Sequence, residues 1–261
     1  MPLRIIKTVW DYCSYNKKFL LFILVILLIF GLLQDFFIEN YGDTVGFLAQ
    51  TFFSIILIGY GLVITRDIIN HGIRLPKIII KDVLLFGIKG YLVFVPYLFV
   101  QGFLLSYISD PLNLPDFDLK DMLLNLPKTI HVLYSNNPVN AVVFVILGLI
   151  IFYVTMFFAE IALARLADSK KILSAFDFKT IKKDIDCYGW IHYTKHFTLI
   201  IFAMVILSYL QGLELFNPIL NTMSEIFFGL LVFVTQFLGI GVVFREIKDA
   251  GSRKNIEVKD A

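Results

Sequence analysis

Six long apolar runs, separated by shorter polar segments, dominate the pattern of hydrophobic and polar positions along the chain. They cover residues 19–33, 44–64, 83–108, 139–164, 197–213 and 226–244. A helix that crosses a bilayer needs roughly 20 mostly apolar residues. The short first and fifth runs are flanked by residues that can snorkel to the interface, namely Lys17, Lys18, Lys195 and His196. The pattern therefore predicts an all-α, polytopic membrane protein with six transmembrane helices.

Composition agrees with a membrane protein and excludes an ordinary soluble one. Hydrophobic residues make up 58% of the 261-residue chain, the mean hydropathy is +0.80, and there are 27 phenylalanines. A soluble domain of this length has no core large enough to bury so much apolar surface. We predict a single integral membrane domain over residues 1–250, followed by a polar cytoplasmic tail over residues 251–261.

The distribution of lysine and arginine predicts the orientation. Of the 23 such residues, only Lys120 and Lys128 lie in the three loops predicted to face outward, and Lys89 lies inside the third run. The other 20 flank the remaining ends of the runs, which places both termini in the cytoplasm and the protein in the cytoplasmic membrane. Cys13 and Cys187 both fall on that reducing side, so a structural disulfide is not expected.

The segments on the cytoplasmic side contain a candidate repeat. The second, fourth and sixth runs each end in an arginine: Arg66, Arg165 and Arg245. Apolar residues at helical spacing precede the first run (Leu3, Ile6, Trp10, Cys13) and the fifth (Phe178, Ile181, Ile185, Tyr188), with a weaker copy over residues 77–89. We predict three units, each with an amphipathic helix on the membrane surface, two spans and a terminal arginine. The alternative is that arginines mark inner helix ends in any membrane protein.

Two ionisable residues inside the spans are candidates for function, because charge within a bilayer is costly. Glu160 lies in the fourth run and Lys89 in the third, both near the cytoplasmic side. Paired with each other and surrounded by Arg66, Arg165 and Arg245, they would form a charged cluster. Such a cluster could hold a phosphate headgroup or relay a proton. The alternative is a structural ion pair, with Lys89 snorkelling to the interface.

Other features give weaker indications. Pro96 predicts a helix break in the third run, of the kind that lines a substrate path in some transporters, although proline kinks are common in membrane helices. His192 and His196 are spaced for a shared metal, with Cys187 nearby, but the motif HYTKH lacks the acidic residue of a metalloprotease. No metal, cofactor or nucleic-acid partner is expected. No P-loop, GxSxG or dinucleotide-binding fingerprint is present, so an enzyme is not predicted.

Two stretches resemble an uncharacterised prokaryotic membrane family, common in archaea, that is known as domain of unknown function 4013. The resemblance is carried by RDIINHGIRLP, with Arg66, Gly72, Leu75 and Pro76, by Gly90 and Pro96, and by ARLADSKKILSAFDFKTI, with Ala164, Arg165, Ala175 and residues 176–178. Where members tend to have a glycine before AFDF, this chain has Lys170 and Lys171. The resemblance implies a polytopic helical fold and carries no known activity or catalytic residue.

Three functions are compatible with these features. The first is a non-enzymatic module that organises anionic lipids or partner proteins in the bilayer. The alternative is a transporter or flippase for a small or lipid-linked anion, which would use the charged cluster and the Pro96 break. A membrane enzyme that acts on phospholipid headgroups would need a catalytic constellation that the sequence does not display.

Overall fold

The structure, a computed structural model, describes residues 7, 11–12, 14–73, 76–109, 112, 137–211 and 218–257. All regular elements in these ranges are α-helices, which confirms the predicted all-α class. In chain order they are α1 (Lys17–Tyr41), α2 (Asp43–Ile69), α3 (Ile80–Ser109), α4 (Pro138–Ser169), α5 (Ile172–Ala175), α6 (Phe178–Tyr188), α7 (Trp190–Gln211) and α8 (Pro218–Glu257).

Five of these helices are long and apolar enough to cross a membrane: α2, α3, α4, α7 and α8. Helix α1 contributes a shorter apolar stretch, Leu21–Leu33. The membrane character is thus supported by five helices in the described part of the chain, and a sixth crossing by α1 stays a prediction. The last helix continues past the predicted span end at Phe244 and reaches Glu257, so most of the predicted polar tail is helical.

The chain forms two compact units. The larger unit comprises Met1–Tyr91 and Ile161–Ala261, and the smaller unit comprises Leu92–Glu160. Helices α3 and α4 each contribute a segment to both units. The two units are described separately below.

In the larger unit, α2 and α8 pack side by side and run in the same direction. The Thr65 hydroxyl donates to the Phe237 carbonyl at 2.9 Å. Gly61 lies against the Phe237 ring, and Gly241 lies against Thr65 and Ile68. Residue numbers therefore rise together along the two helices, and their glycines allow the close approach.

The neighbouring helices pack in the opposite direction. Phe22 of α1 contacts the Tyr60 ring of α2, and Phe30 stacks on Phe53 at 4.3 Å between ring centroids, so α1 and α2 are antiparallel. Helices α7 and α8 are antiparallel by the same criterion, through contacts between Ile200 and Gly239 and between Gln211 and Gly229.

The C-terminal ends of α2 and α4 lie beside one turn of α8 in the larger unit. His71, just after α2, places its Nε2 atom 3.6 Å from Asp249 Oδ1. Asp168, in the last turn of α4, accepts from Lys248 Nζ at 2.8 Å. The three arginines that end the second, fourth and sixth apolar runs are therefore on the same side, which we call the arginine end.

The smaller unit has its own apolar contacts. Leu105 of α3 packs with Ala141 and Phe144 of α4, and the Asn140 side chain donates to the Leu112 carbonyl. Pro96 lies inside α3, which continues to Ser109. Helical structure thus continues on both sides of the proline, and a role of Pro96 in lining a substrate path stays a prediction.

The predicted amphipathic helices are only partly found. Helix α6 exists as a separate element, but Ile181 and Ile185 of its predicted apolar stripe are buried inside the protein, whereas Phe178 is exposed. The middle copy is no separate helix, because α3 runs from Ile80 straight into the span. The first copy, over residues 3–13, lies outside the described residues apart from positions 7, 11 and 12.

Candidate functional site

The side chain of Arg165 has hydrogen-bond and ion-pair partners within the protein. Its Nε donates to the Ser174 carbonyl at 3.0 Å, and its guanidinium forms an ion pair with Asp184 of α6. Burial raises the pKa of Asp184 above its usual value, and the Arg165 charge opposes that rise. This half-buried pair ties α4 to α6, so Arg165 has a structural role in the cluster predicted from the sequence.

Lys89 also has a partner inside the larger unit. Its Nζ donates to the Lys170 carbonyl at 2.8 Å. Lys170 itself has a φ of 62°, the left-handed conformation that glycine adopts easily, and it turns the chain directly after α4. The tight turn before the AFDF segment is therefore present even though a lysine occupies the position.

Glu160 is almost fully buried, with 2% of its surface exposed, within the C-terminal third of the apolar helix α4. A carboxyl group at such a position is costly and marks a functional candidate. Glu160 belongs to the smaller unit, whereas the other four residues of the predicted cluster belong to the larger one. Its pairing with Lys89 stays a prediction.

Arg66 and Arg245 are both half-buried at the arginine end. The Nε atom of Arg66 is buried and has no hydrogen-bond partner among the described residues. Its neighbour Asp67 accepts instead from the Tyr12 hydroxyl at 3.4 Å. In the described part of the chain, neither Arg66 nor Arg245 forms an ion pair.

A polar network that the sequence analysis missed links three elements at the arginine end. The Tyr188 hydroxyl of α6 donates to Glu246 of α8 at 2.6 Å and lies 2.6 Å from Nδ1 of His196 in α7. Because a hydroxyl has a single proton, His196 Nδ1 must be the donor in the second contact. Burial, and then Glu246, raise the pKa of Tyr188 above its usual range, so the hydroxyl stays neutral.

This network changes the interpretation of the histidine pair. His196 is buried and engaged with Tyr188, whereas His192 is exposed and contacts the Tyr188 ring from the side. No group of three or more His, Cys, Asp or Glu side chains suited to a metal ion is found among the described residues. The spacing of the two histidines therefore reflects packing around Tyr188.

Four of the five predicted cluster residues belong to the larger unit, and the cluster itself stays a prediction. Among the described residues, Arg165 and Lys89 have partners, whereas the Nε atom of Arg66 has none and Arg245 forms no ion pair. Chemically, two guanidinium groups in a half-buried position are suited to anions.

Comparison with known proteins supports a family assignment only. The model of a family described as a protein of unknown function, DUF4013, matches residues 44–216. No similar curated protein and no similar solved structure was found.

Proposed function

Because the family match covers well over half of the chain, the chain belongs to the DUF4013 family of proteins of unknown function, and we propose that it is a non-enzymatic membrane module. In this proposal the chain crosses the cytoplasmic membrane six times, with α1 as the first crossing and both termini inside. Its basic inner face associates with anionic lipids and through them organises its surroundings.

One observation carries this proposal: α2 and α4 end beside the turn of α8 that follows Arg245, so the arginines that close the three apolar runs lie on the same side. Positive charge collected at one end of a membrane bundle favours a cytoplasmic position for that end. The outer face of α6 adds the exposed lysines Lys179, Lys182 and Lys183 to the same unit. Each basic residue near an anionic surface contributes about 1 kcal/mol to binding.

The orientation is tested by cysteine labelling with a membrane-impermeant maleimide. After Cys13→Ser, Cys187 remains as the reporter in α6, and we expect it to react only after the membrane is permeabilised. The matched control is Tyr41→Cys in a chain that lacks both native cysteines. It places an exposed reporter at the end of α1. It should react in intact cells. Labelling of Cys187 from outside would overturn the proposed orientation.

A transporter or flippase for a small or lipid-linked anion is the second candidate, and the burial of Glu160 in α4 favours it. Native mass spectrometry of the purified chain and of Glu160→Gln discriminates between the two functions. A single retained phosphate-bearing lipid, whose retention changes in the variant, would support transport. Retention of mixed anionic lipids that is equal in both chains would support the module.

A further inference from the structure

The side chain of Arg66 differs from that of Arg165, although the two residues end equivalent apolar runs. Arg165 has an ion pair with Asp184 and a carbonyl acceptor at Ser174. Arg66 has a buried Nε–H that no group in the described chain accepts. A buried hydrogen-bond donor without an acceptor lowers the stability of the folded protein, and a charged donor lowers it more. Such donors are therefore rare, and each one calls for an explanation.

Acidic side chains are present at the arginine end, yet other residues engage them. Asp67 lies directly beside Arg66 in sequence, but its carboxylate packs over Gly72 and accepts from Tyr12. Four further carboxylates at this end have partners: Asp168 with Lys248, Asp184 with Arg165, Glu246 with Tyr188 and Asp249 with His71. Each of these carboxylates thus has another partner, and among the described residues Arg66 forms no ion pair.

The surroundings favour an anionic ligand at this position. Arg245 lies in the neighbouring parallel helix α8 and is half-buried, so a second guanidinium group is present at the arginine end. The planar fork formed by Nε and a terminal nitrogen of arginine matches two oxygens of a phosphate group.

We propose that Arg66 is the binding residue of an oxyanion site at the arginine end, and that its ligand is a phosphate group. The proposal rests on the membrane placement argued above and names the ligand class of that surface. The phosphate group can come from a phospholipid headgroup of the inner leaflet or from a soluble phosphate, and the two sources share the chemistry that Arg66 recognises.

The test is thermal unfolding of the purified full chain in an uncharged detergent. Two probes are compared at constant ionic strength: inorganic phosphate, and a short-chain phosphatidic acid below its micelle concentration. We expect at least one probe to raise the melting temperature in a saturable manner. Because each 1.4 kcal/mol is a tenfold change and a charged hydrogen bond exceeds that, Arg66→Gln should weaken the apparent affinity by about tenfold or more.

Two further variants distinguish paired hydrogen-bond donation by the guanidinium group from the effect of positive charge alone. Arg66→Lys keeps the charge but loses the paired donors, so its affinity should fall between those of the parent and Arg66→Gln. Lys81→Gln removes an exposed charge at the start of α3 and should leave the affinity unchanged. If Arg66→Gln does not yield a monodisperse protein, the comparison of Arg66→Lys with Lys81→Gln decides the question.

Each outcome is informative. A shift by phosphatidic acid alone assigns a lipid headgroup, and a shift by inorganic phosphate assigns a soluble anion. The site proposal is overturned if neither probe stabilises the parent chain, or if Arg66→Lys and Arg66→Gln respond as the parent does. In either case, retention of mixed anionic lipids in native mass spectrometry and internal labelling of Cys187 would still leave the membrane module standing.

Discussion

Lys170 turns the chain at the end of α4 with a left-handed backbone, and its carbonyl is the acceptor for Lys89. Since a side chain with a Cβ is disfavoured in that region, the conformation is held by the contacts around it. The backbone N–H of Lys170 donates to Leu166, which closes the last turn of the helix. The conformational free energy of this turn would therefore be lower with glycine at position 170. The contact with Lys89 does not depend on the lysine side chain, because the backbone carbonyl of Lys170 makes it.

Lys170→Gly should stabilise the protein slightly. The left-handed conformation costs a non-glycine residue about 1 kcal/mol or more, and glycine removes this cost. Part of the gain in stability is offset, because glycine loses more conformational entropy than lysine when the chain folds. We expect the free energy of unfolding in mixed micelles to rise by about 0.5 kcal/mol. The matched control is Lys171→Gly, at a φ of −107°, where no strain is relieved and stability should fall. Equal losses in both variants would contradict the argument.

Tyr188 connects three elements through a single hydroxyl group. Removing it by Tyr188→Phe leaves Glu246 and the buried His196 without their shared partner. A buried polar group that loses its partner costs about 1–3 kcal/mol, and we expect a loss of that size in the free energy of unfolding. Tyr15→Phe removes an exposed hydroxyl and serves as the control, with an expected change below about 0.5 kcal/mol.

The same variant tests the pKa of Tyr188. Because the folded protein raises this pKa, the unfolded chain loses the tyrosine proton first as the pH rises. The contribution of Tyr188 is thus complete below about pH 10, the usual tyrosine value, and declines above it. The difference in stability between the parent chain and Tyr188→Phe should therefore narrow above that pH. A difference in stability between the two chains that stays constant across the alkaline range would show that folding does not raise the pKa of Tyr188.

At the scale of the helices, glycine positions decide how closely the elements approach. A Cβ on Gly59 of α2 would overlap the Val83 carbonyl oxygen and the Gly87 backbone of α3. Backbone atoms cannot move aside as the tip of a side chain can. The crossing of α2 and α3 therefore requires glycine at this position, as is common in membrane bundles.

Gly59→Ala should separate α2 from α3 and lower stability by about 1–3 kcal/mol, the usual cost of overpacking. Gly31→Ala is the matched control, because nothing lies within 4 Å of the added methyl group on α1. We expect the control to unfold at the same denaturant concentration as the parent chain, or slightly above it. If both variants lose the same amount of stability, close packing at Gly59 is not the cause.

The elements themselves were predictable where a single physical requirement acts on a long stretch. The need for about 20 apolar residues per crossing marks the spans in the sequence. The direction in which the α6 stripe faces was not predictable, since Ile181 and Ile185 have the same spacing whether they meet lipid or protein. The end of α8 was missed for a related reason, because apolar character stops near Phe244 while helical hydrogen bonding continues to Glu257.

The partners of the residues in the predicted charged cluster depend on tertiary packing, which the spacing of residues in the sequence does not determine. Arg165 pairs with Asp184, which the chain after the turn at Lys170 places beside it. Glu246 looked like one more charge at a helix end, and only the packing of α6 and α7 on α8 makes it the acceptor for Tyr188. The common side for Arg66, Arg165 and Arg245 was predictable from charge, whereas their individual partners were not.

For the whole molecule, the segment after Arg245 holds several elements together. Glu246 binds Tyr188, Lys248 binds Asp168 of α4, and Asp249 lies beside His71 after α2. Ile247, between them, is 3% exposed. One turn of α8 thus contacts elements that come from distant parts of the chain.

A chain that ends after Arg245 should therefore lose several kcal/mol of stability and elute as a mixture of species in mild detergent. The loss combines the apolar burial of Ile247, worth about 1.5–3 kcal/mol, with the unpaired Tyr188 and His196 and with two weak ion pairs of up to about 1 kcal/mol each. The comparison is a chain that ends after Glu257, which retains every contact the structure gives to α8. That chain should be monodisperse and unfold as the parent does. If the two truncated chains behave alike, α8 is anchored by its apolar part, and the turn after Arg245 contributes little to the fold.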